Sequence, residues 1–506
     1  MSIRIRIAGY GVIIFVSSAI LMVIELAAAR LIAPYVGVSL YTWTSIIGVI
    51  LAGISLGNWL GGVAADRGAG NRFAGVALGL SGIATIAVLF LLTWVAPLIT
   101  RYDMSMLSAS FLYVMLLFFI PAFLLGIITP LLTTLALRLD AHTGHIVGMM
   151  HSLAAFGSII GTFASGYWLI QSFGTQAVIA GTGLSLIGLS LWLLVPQAPR
   201  LAGGLVLAGA ISLLVTNQRF GFFSPCHEES AYFCIKVLPM DEEVPFGKAK
   251  GMVLDQLLHG VNHETHPKLL VFSYTHAMDE LIKNHLGQDK AKARYLFTGG
   301  GSYAHPRALR AALPESSITV IEIDKQVTKI AEQKMQVDTS DMRVIHGDAR
   351  VVLQSMQGEK YAAIIGDVFN DVSIPFHLTT LEYKQLVKQR LHDDGIYVLN
   401  VIDAWPDPLI VKSLIKTLGE VFDDVDIWME GIPQDSTRMT YVLSASSVRQ
   451  TEHELVSKYG IRRRWFQAND LIVKNNTTLD QLPILTDDYV PVESLLSSLI
   501  TTRLGR

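Results

Sequence analysis

Glu322, Asp348 and Asp367 each close a short apolar run, in "ITVIEID", "MRVIHGDAR" and "YAAIIGDVFND". Carboxylates at such points accept hydrogen bonds from a ligand's hydroxyl and amino groups, or take a proton from it. Ahead of them, "YLFTGGGSYAHPRAL" turns on Gly299, Gly300 and Gly301, where a backbone without side chains bends sharply and can approach a ligand. Glu322 follows Gly301 by 21 residues, the separation at which an acidic side chain takes the ribose hydroxyls of a bound nucleoside. The G-G-G run lacks the G-x-G-x-x-G spacing that suits a pyrophosphate, so it points to an adenosyl sulfonium rather than a dinucleotide. Asp348 is placed either to accept the adenine amino group or to cap the following "ARVVLQSM" helix. Asp367 opens a loop above the crevice where open parallel sheets carry their chemistry.

The segments around these residues alternate between strand and helix. "RYLFTG", "ITVIEI", "MRVIHGD", "YAAIIGDV", "GIYVLNV" and "RMTYVLSA" read as strands, and amphipathic stretches such as "DKQVTKIAEQKM" and "TLEYKQLVKQRLH" lie between the later ones. Near-continuous apolar strands separated by helices imply a parallel sheet covered on both faces. "AYFCIKVL" and "KGMVLD" precede the glycine turn and read as a small antiparallel addition.

The first part of the chain has a different composition. The protein has 506 residues, 51% of them hydrophobic, and a net charge of −3. Residues 1–216 contain eight Arg, four Asp or Glu and no Lys. Apolar runs at about 7–29, 41–64, 73–99, 109–137, 144–171, 175–195 and 201–216 predict seven membrane spans, with Pro121 and Pro130 expected to kink the fourth. Three regions follow: 1–216 transmembrane, 217–260 a short β segment, and 261–506 the nucleoside-binding domain. Arg4, Arg6, Arg67, Arg72, Arg138 and Arg200 fall on one side of the spans, so the positive-inside rule puts the amino terminus in the cytoplasm and, with seven spans, everything after Thr216 on the exoplasmic side; with six spans, the short run at 201–216 not crossing, that part returns to the cytoplasm and the bundle is an anchor. Cys226 and Cys234 lie just beyond the last span, as a disulfide suited to an oxidising compartment or as two free thiols. Glu25 sits deep in the first apolar run, either paired with Arg30 or facing a polar conduit. The absence of a long basic run argues against nucleic acid as a partner. His259, His263, His266 and His276 match no zinc spacing, so hydrogen-bonding histidines and no metal are expected. Asp487 and Asp488 in "ILTDDYVPVESLL" read either as a cap for the final helix, the favoured reading, or as part of the wall of the acceptor site.

Taken in order, "VLDQLLHG", "SYTHAMDELI", "GGGSYAHPRAL", "VIEIDKQV", "GDAR" and "DVFNDVSIPFHLTTLEY" resemble the spermidine synthases, and most of all their membrane-fused branch, over roughly residues 224–445. The resemblance implies a fold class: an N-terminal all-α multi-span membrane bundle, then a C-terminal α/β Rossmann-like domain of the methyltransferase/spermidine synthase type with its small β addition. It also implies an activity, transfer of an aminopropyl group from decarboxylated S-adenosylmethionine to a small-molecule amine with release of methylthioadenosine, with no prosthetic group. The bacterial inner membrane is the expected location, the lipid bilayer a partner, and a homodimer an assembly compatible with the family. By the same resemblance Glu322 holds the ribose, Asp348 reaches adenine, Asp367 helps deprotonate the attacking amine, and Tyr274 positions that amine.

The chain departs from the family pattern at three points. Ser302 stands where soluble spermidine synthases carry an Asp that grips the ammonium of the aminopropyl arm. Asn370 replaces the second acid of the D-x-x-D loop, with Asp371 beside it. His259 stands in place of a glutamine near the ribose. Losing two carboxylates relieves repulsion against a donor that keeps its own carboxylate, so a reaction of intact S-adenosylmethionine is the alternative: methyl transfer, aminocarboxypropyl transfer or intramolecular cleavage. A non-catalytic nucleoside sensor or transporter is the third reading.

Overall fold

The computed structural model describes residues 2–102, 104–140, 142–220, 226–368, 375–435, 437–474 and 476–501. The chain divides into two compact units, Met1–Cys234 and Ile235–Arg506.

The first unit contains, among the described residues, seven helices long and apolar enough to cross a membrane: Ile3–Val36, Leu40–Asp66, Asn71–Ile99, Met106–Leu137, Thr143–Phe173, Thr175–Leu194 and Pro199–Asn217. The spans pack closely where glycines remove side-chain bulk. A Cβ at Gly57 would lie 2.1 Å from the carbonyl oxygen of Phe123, and one at Gly161 2.2 Å from that of Ala19, so these helices meet backbone to backbone. The fourth span is interrupted at Ile127, between Met106–Gly126 and Ile128–Leu137. Pro130 explains the break, because it has no N–H to offer the Gly126 carbonyl. Pro121 lies inside the first piece. The fifth span contains a π-helical turn at Ser165–Leu169 that its sequence did not announce.

The arginine-bearing ends of the spans are tied to one another. Arg72 donates to the Gln197 carbonyl, Arg138 to that of Ala65, and the Tyr10 hydroxyl to Asn71 Oδ1 at 2.8 Å. At the opposite ends Cys226 and Cys234 form a disulfide, closing a loop that contains the two-residue strand β1 (Glu228–Glu229). Arg30 donates to the carbonyls of Ser230 and Tyr232 in this loop. Glu229 Oε2 accepts from both the amide and the hydroxyl of Thr175, each at 2.8 Å. The partner of Arg30 is therefore the disulfide loop, rather than the Glu25 carboxylate that its sequence position suggested.

The second unit begins with an antiparallel meander: β2 (Cys234–Pro239), β3 (Ala249–Leu254) and β4 (Leu257–His263). The nine-stranded sheet that follows uses β5 (Arg294–Thr298), β6 (Ser317–Glu322), β7 (Arg343–His346), β8 (Tyr361–Gly366), β9 (Leu391–Trp405), β10 (Asp424–Met429), β11 (Thr437–Ser446), β12 (Glu454–Val456) and β13 (Arg464–Gln467). Their order is β12-β13-β10-β11-β9-β8-β5-β6-β7. β7, β6, β5, β8 and β9 run parallel, while β11, β10, β13 and β12 extend the sheet antiparallel. Central strands such as "YLFT" and "AAIIG" are buried almost throughout, as strands covered on both faces must be. The chain leaves β5 toward β6 on one side and returns to β8 on the other. The carboxyl ends of β5, β6 and β8 therefore open on the switch-point crevice where such sheets bind ligands.

Candidate active site

The glycine turn at the end of β5 is a backbone constraint before it is a binding loop. Gly299 has φ +94° and Gly301 φ +49°, a region that side chains disfavour. A Cβ at Gly299 would lie 2.0 Å from the Asp367 carbonyl oxygen, so the end of β5 and the start of the loop after β8 touch through bare backbone. The left-handed bend continues at Tyr303, φ 57°. Its buried ring packs over Gly300, and its hydroxyl meets Thr328 Oγ1 at 2.9 Å. Ser302 is held between strands: Asn262 on β4 donates to its carbonyl at 2.9 Å, and its hydroxyl lies against Gly260.

Glu322, at the end of β6, is buried and turned toward this loop. Its Oε2 accepts the amides of Gly300 at 2.8 Å and Gly301 at 3.3 Å, and its Oε1 that of Asp324 at 2.9 Å. Burial raises its pKa, opposed by those amide hydrogen bonds. Asp348 caps the helix Ala349–Ser355, its Oδ1 accepting from Arg350 N and Val351 N at 3.0 and 3.1 Å. Its Oδ2 lies 2.7 Å from His377 Nε2. Partial burial would raise its pKa, but the Val351 amide and His377 hold it below the ordinary carboxylate value.

Asp367, just past the end of β8, is gripped at both oxygens. Asn400 on β9 donates to Oδ1 at 3.0 Å, and the Tyr274 hydroxyl donates to Oδ2 at 3.4 Å. Burial pushes its pKa up to about 6, the Asn400 hydrogen bond holding it back from rising further. Burial and then the facing Asp367 charge drive the Tyr274 hydroxyl well above its ordinary value, so it stays a donor. Tyr274 comes from the first turn of the helix Ser273–Leu286.

Two cavities adjoin at this pair. A small one is lined by Gly299, Gly300 and Ser302 with His305 and Ile365. A larger one, of about 410 Å³, is lined by Asn400, Trp428, Glu430, Arg438 and Trp465. His259, Phe272, Tyr274 and Asp367 line both. Burial and then the charge of Arg438 lower the His259 pKa to about 4, so its ring is neutral at pH 7. Glu322 and Asp348 are not among the lining residues of these two cavities. Asn370 and Asp371 lie outside the described residues.

The arrangement thus brings Tyr274, His259, the glycine loop, Ser302 and Asp367 together, with Glu322 behind the loop and Asp348 at the next strand end. Asn400, Arg438, His305 and the two tryptophans are additions that motif reading missed. Asn400 left a trace, as the one amide in the apolar run "YVLNVI". Arg438 left none. His263, at the end of β4, is engaged by the connection between β2 and β3, its Nε2 2.7 Å from the Phe246 carbonyl. Asp487 forms an ion pair with Arg350 in place of the expected helix cap, and Pro491 precedes the helix Val492–Leu495.

The sheet and its switch-point loops define an α/β fold of the methyltransferase and spermidine synthase type. Residues 276–454 match the spermine/spermidine synthase domain. A polyamine aminopropyltransferase of Vibrio vulnificus is 39% identical over 213 residues, covering 40% of this chain and 69% of that protein. A probable polyamine aminopropyl transferase of Bifidobacterium longum is 26% identical over 226 residues, 42% of this chain and 50% of that one. A solved structure, a probable spermidine synthase from Corynebacterium glutamicum, has a TM-score of 0.44 at 20% identity, covering 49% of this chain and 93% of that one. The chain belongs to the spermine/spermidine synthase family. It spans half the length of the Bifidobacterium relative.

Proposed function

We propose that this protein is a multi-pass membrane aminopropyltransferase that uses decarboxylated S-adenosylmethionine as donor and a small-molecule amine as acceptor. The observation that carries this reading is Asp367, held by Asn400 and Tyr274 where the two cavities meet. An alkylamine is protonated at neutral pH and attacks only after losing a proton, so the reaction needs a positioned base. The amine nitrogen forms a bond to the propyl carbon beside sulfur as the carbon–sulfur bond breaks. The sulfonium keeps the electron pair and leaves as methylthioadenosine, and the amine proton passes to the Asp367 carboxylate. Tyr274 orients that carboxylate and the incoming amine, which supplies part of the barrier lowering through alignment. Glu322 receives the ribose hydroxyls over the glycine loop. Asp348, with one oxygen on helix amides and the other on His377, sets the turn against which adenine rests. Asn370 and Asp371 follow Asp367 in sequence and are assigned to the acceptor side.

Product analysis tests the reading. The purified protein incubated with decarboxylated donor and an amine should release methylthioadenosine in step with consumption of both. Release of S-adenosylhomocysteine from intact donor would identify methyl transfer instead, and tight nucleoside binding without turnover would identify a sensor.

The pH dependence follows from Asp367. With a pKa of about 6, the carboxylate is the working base above that pH and is protonated below it. The profile of kcat/KM should therefore bend near pH 6 and fall about tenfold per unit on its acid side. An acid limb centred near pH 4 would show that an ordinary exposed carboxylate, or another group, sets the rate.

We further propose that the catalytic unit lies on the exoplasmic side of a bacterial inner membrane. The arginine-bearing ends of the spans, joined through Arg72 and Arg138, support an amino terminus in the cytoplasm. The Cys226–Cys234 disulfide, at the opposite ends of the spans, suits an oxidising compartment. A membrane-impermeant maleimide applied to intact cells should label both cysteines once an impermeant reductant is added. Labelling that requires permeabilised cells would place the unit in the cytoplasm.

A further inference from the structure

Amine transfer leaves a proton behind at each turnover. The acceptor arrives as an ammonium and gives one proton to Asp367, and the product departs as a secondary ammonium, so Asp367 must shed that proton before the next cycle. With an acceptor in the larger cavity, the small cavity is the other side of the carboxylate, and its wall contains a second titratable group, His305. His305 is 5% exposed, and its ring stands edge-on to Phe297 with centroids 5.1 Å apart. Neither ring nitrogen has a hydrogen-bond partner among the described residues. The small cavity measures about 20 Å³. A water needs about 10–15 Å³ and polar neighbours, so one water fits between the imidazole and Asp367.

The helix Ser273–Leu286 links this ring to the surface. Its first turn carries Tyr274, which holds Asp367, and Thr275, which lines the small cavity. Residues four apart share a helix face, so Thr275, Asp279 and Lys283 form one polar file about 12 Å long. Asp279 is buried, its Oδ1 3.5 Å from His305 Nε2 and its Oδ2 accepting from the Lys283 ammonium. The Lys283 side chain is 23% exposed, so the file ends in solvent. Burial would raise the Asp279 pKa, but His305 and Lys283 hold it below the ordinary carboxylate value. It is therefore ionised at neutral pH, and a carboxylate beside an imidazole favours its protonated form. The remaining groups around the ring are engaged elsewhere. Arg307 donates to the His263 carbonyl at 2.9 Å. Glu280 accepts the Lys458 amide at 2.8 Å and lies 3.7 Å from His276. Burial and then the Asp279 charge raise the Tyr295 pKa, so that phenol stays neutral.

We propose that His305 resets the base: it takes the proton from Asp367 through one water in the small cavity and releases it along the Asp279–Lys283 file to solvent. This rests on the aminopropyl-transfer reading above and adds the step that follows it. The O–H bond on Asp367 breaks as an N–H bond forms on the imidazole, and the imidazolium then loses its proton to solvent. Asp367 returns as a carboxylate and His305 as a neutral ring, with one proton leaving for each methylthioadenosine formed. Asp279 is the positioning residue, orienting the ring and stabilising its charged form.

The test uses the full-length protein in detergent, with methylthioadenosine release as readout. Resetting the base follows the irreversible cleavage of the carbon–sulfur bond, so it enters kcat and not kcat/KM. His305→Gln, which keeps a polar side chain that cannot titrate, should lower kcat by about tenfold or more, toward the ~10²–10⁴-fold range of proton-transfer groups. Its kcat/KM should stay near that of wild type, and the bend near pH 6 should remain because Asp367 still titrates. The kcat of the variant should also rise with the concentration of imidazole buffer, which replaces the missing acceptor, while the wild-type kcat should not. Asp279→Asn should show the same split and the same buffer dependence in smaller degree. A kcat unmoved by His305→Gln overturns the proposal and leaves aminopropyl transfer standing. So does a fall in kcat and kcat/KM together with no response to imidazole, the pattern of a residue that only holds the fold. Should His305→Gln fail to fold, Asp279→Asn decides, and a kcat indifferent to imidazole there overturns the proposal. Wild-type protein that forms no methylthioadenosine with the decarboxylated donor and any amine removes the transfer reading, and the proposal with it.

Discussion

Asp367→Asn is expected to lower kcat by about 10²–10⁴-fold, the usual contribution of a positioned general base, with affinity for methylthioadenosine nearly unchanged. The substitution is close to isosteric, and its hydrogen bonds have a simple rearrangement. The new amide oxygen can still accept from Asn400 Nδ2, and its NH2 group can donate to the Tyr274 hydroxyl oxygen, which both donates and accepts. The packing of the β8 and β9 ends should therefore survive, and what is lost is the ability to hold a proton. The variant should also lose the bend near pH 6, because the group that produces it no longer titrates. Single-turnover measurements with saturating donor isolate the chemical step. Near-normal turnover would remove Asp367 as the base, and loss of nucleoside binding would move it to a structural or ligand-holding role.

How far the site was legible depended on how local its causes were. Gly299 to Gly301, Glu322 and Asp367 belong to strand–turn units in which a few adjacent residues fix both conformation and exposure, and their types show through in the sequence. Asp348 was equally visible, yet its two readings differ only in what its second oxygen meets. The His377 contact that occupies it comes from 29 residues further on. Arg350–Asp487, across 137 residues, is the same problem at greater range: the acid looked like a cap because its true partner was remote. Asn400 and Arg438 reach the site only because β9 lies between β8 and β11, and strand order is not written in any one segment.

The fold shows the same division. The parallel strands were found from their apolar runs, since burial on both faces leaves little polar content. β4, "LLHGVNH", mixes polar and apolar residues, and β12 and β13 are only three and four residues long. Such strands exist because a neighbouring edge supplies their hydrogen bonds, which periodicity cannot reveal. The seven apolar helices were legible because composition alone carries that signal. The π turn at Ser165–Leu169 was not, since a one-residue change in hydrogen-bond register leaves the composition untouched.

Glu322 carries the second large expected effect, and its geometry determines the variant to use. A carboxylate offers about four lone-pair sites, and three amides already lie on this one. Two ribose hydroxyls can bind only if at least one amide is shared or released, so binding and loop geometry are coupled at this residue. Glu322→Ala removes both functions. It should weaken methylthioadenosine by about 1.5–3 kcal/mol, the range for hydrogen bonds to a charged group, or roughly tenfold to a hundredfold in Kd. Glu322→Gln keeps one oxygen for the loop amides but sets an NH2 group where the other oxygen accepted, and it removes the charge. If the charge-assisted ribose contact dominates, Gln should lose nearly as much affinity as Ala while its thermal stability stays closer to wild type. If Glu322 mainly holds the glycine loop, the two variants should separate in affinity as they do in stability. Calorimetric titration of both variants with methylthioadenosine, alongside their melting curves, makes the distinction. Affinity unchanged in both would show that the carboxylate at the end of β6 serves the loop alone and that the ribose is held elsewhere.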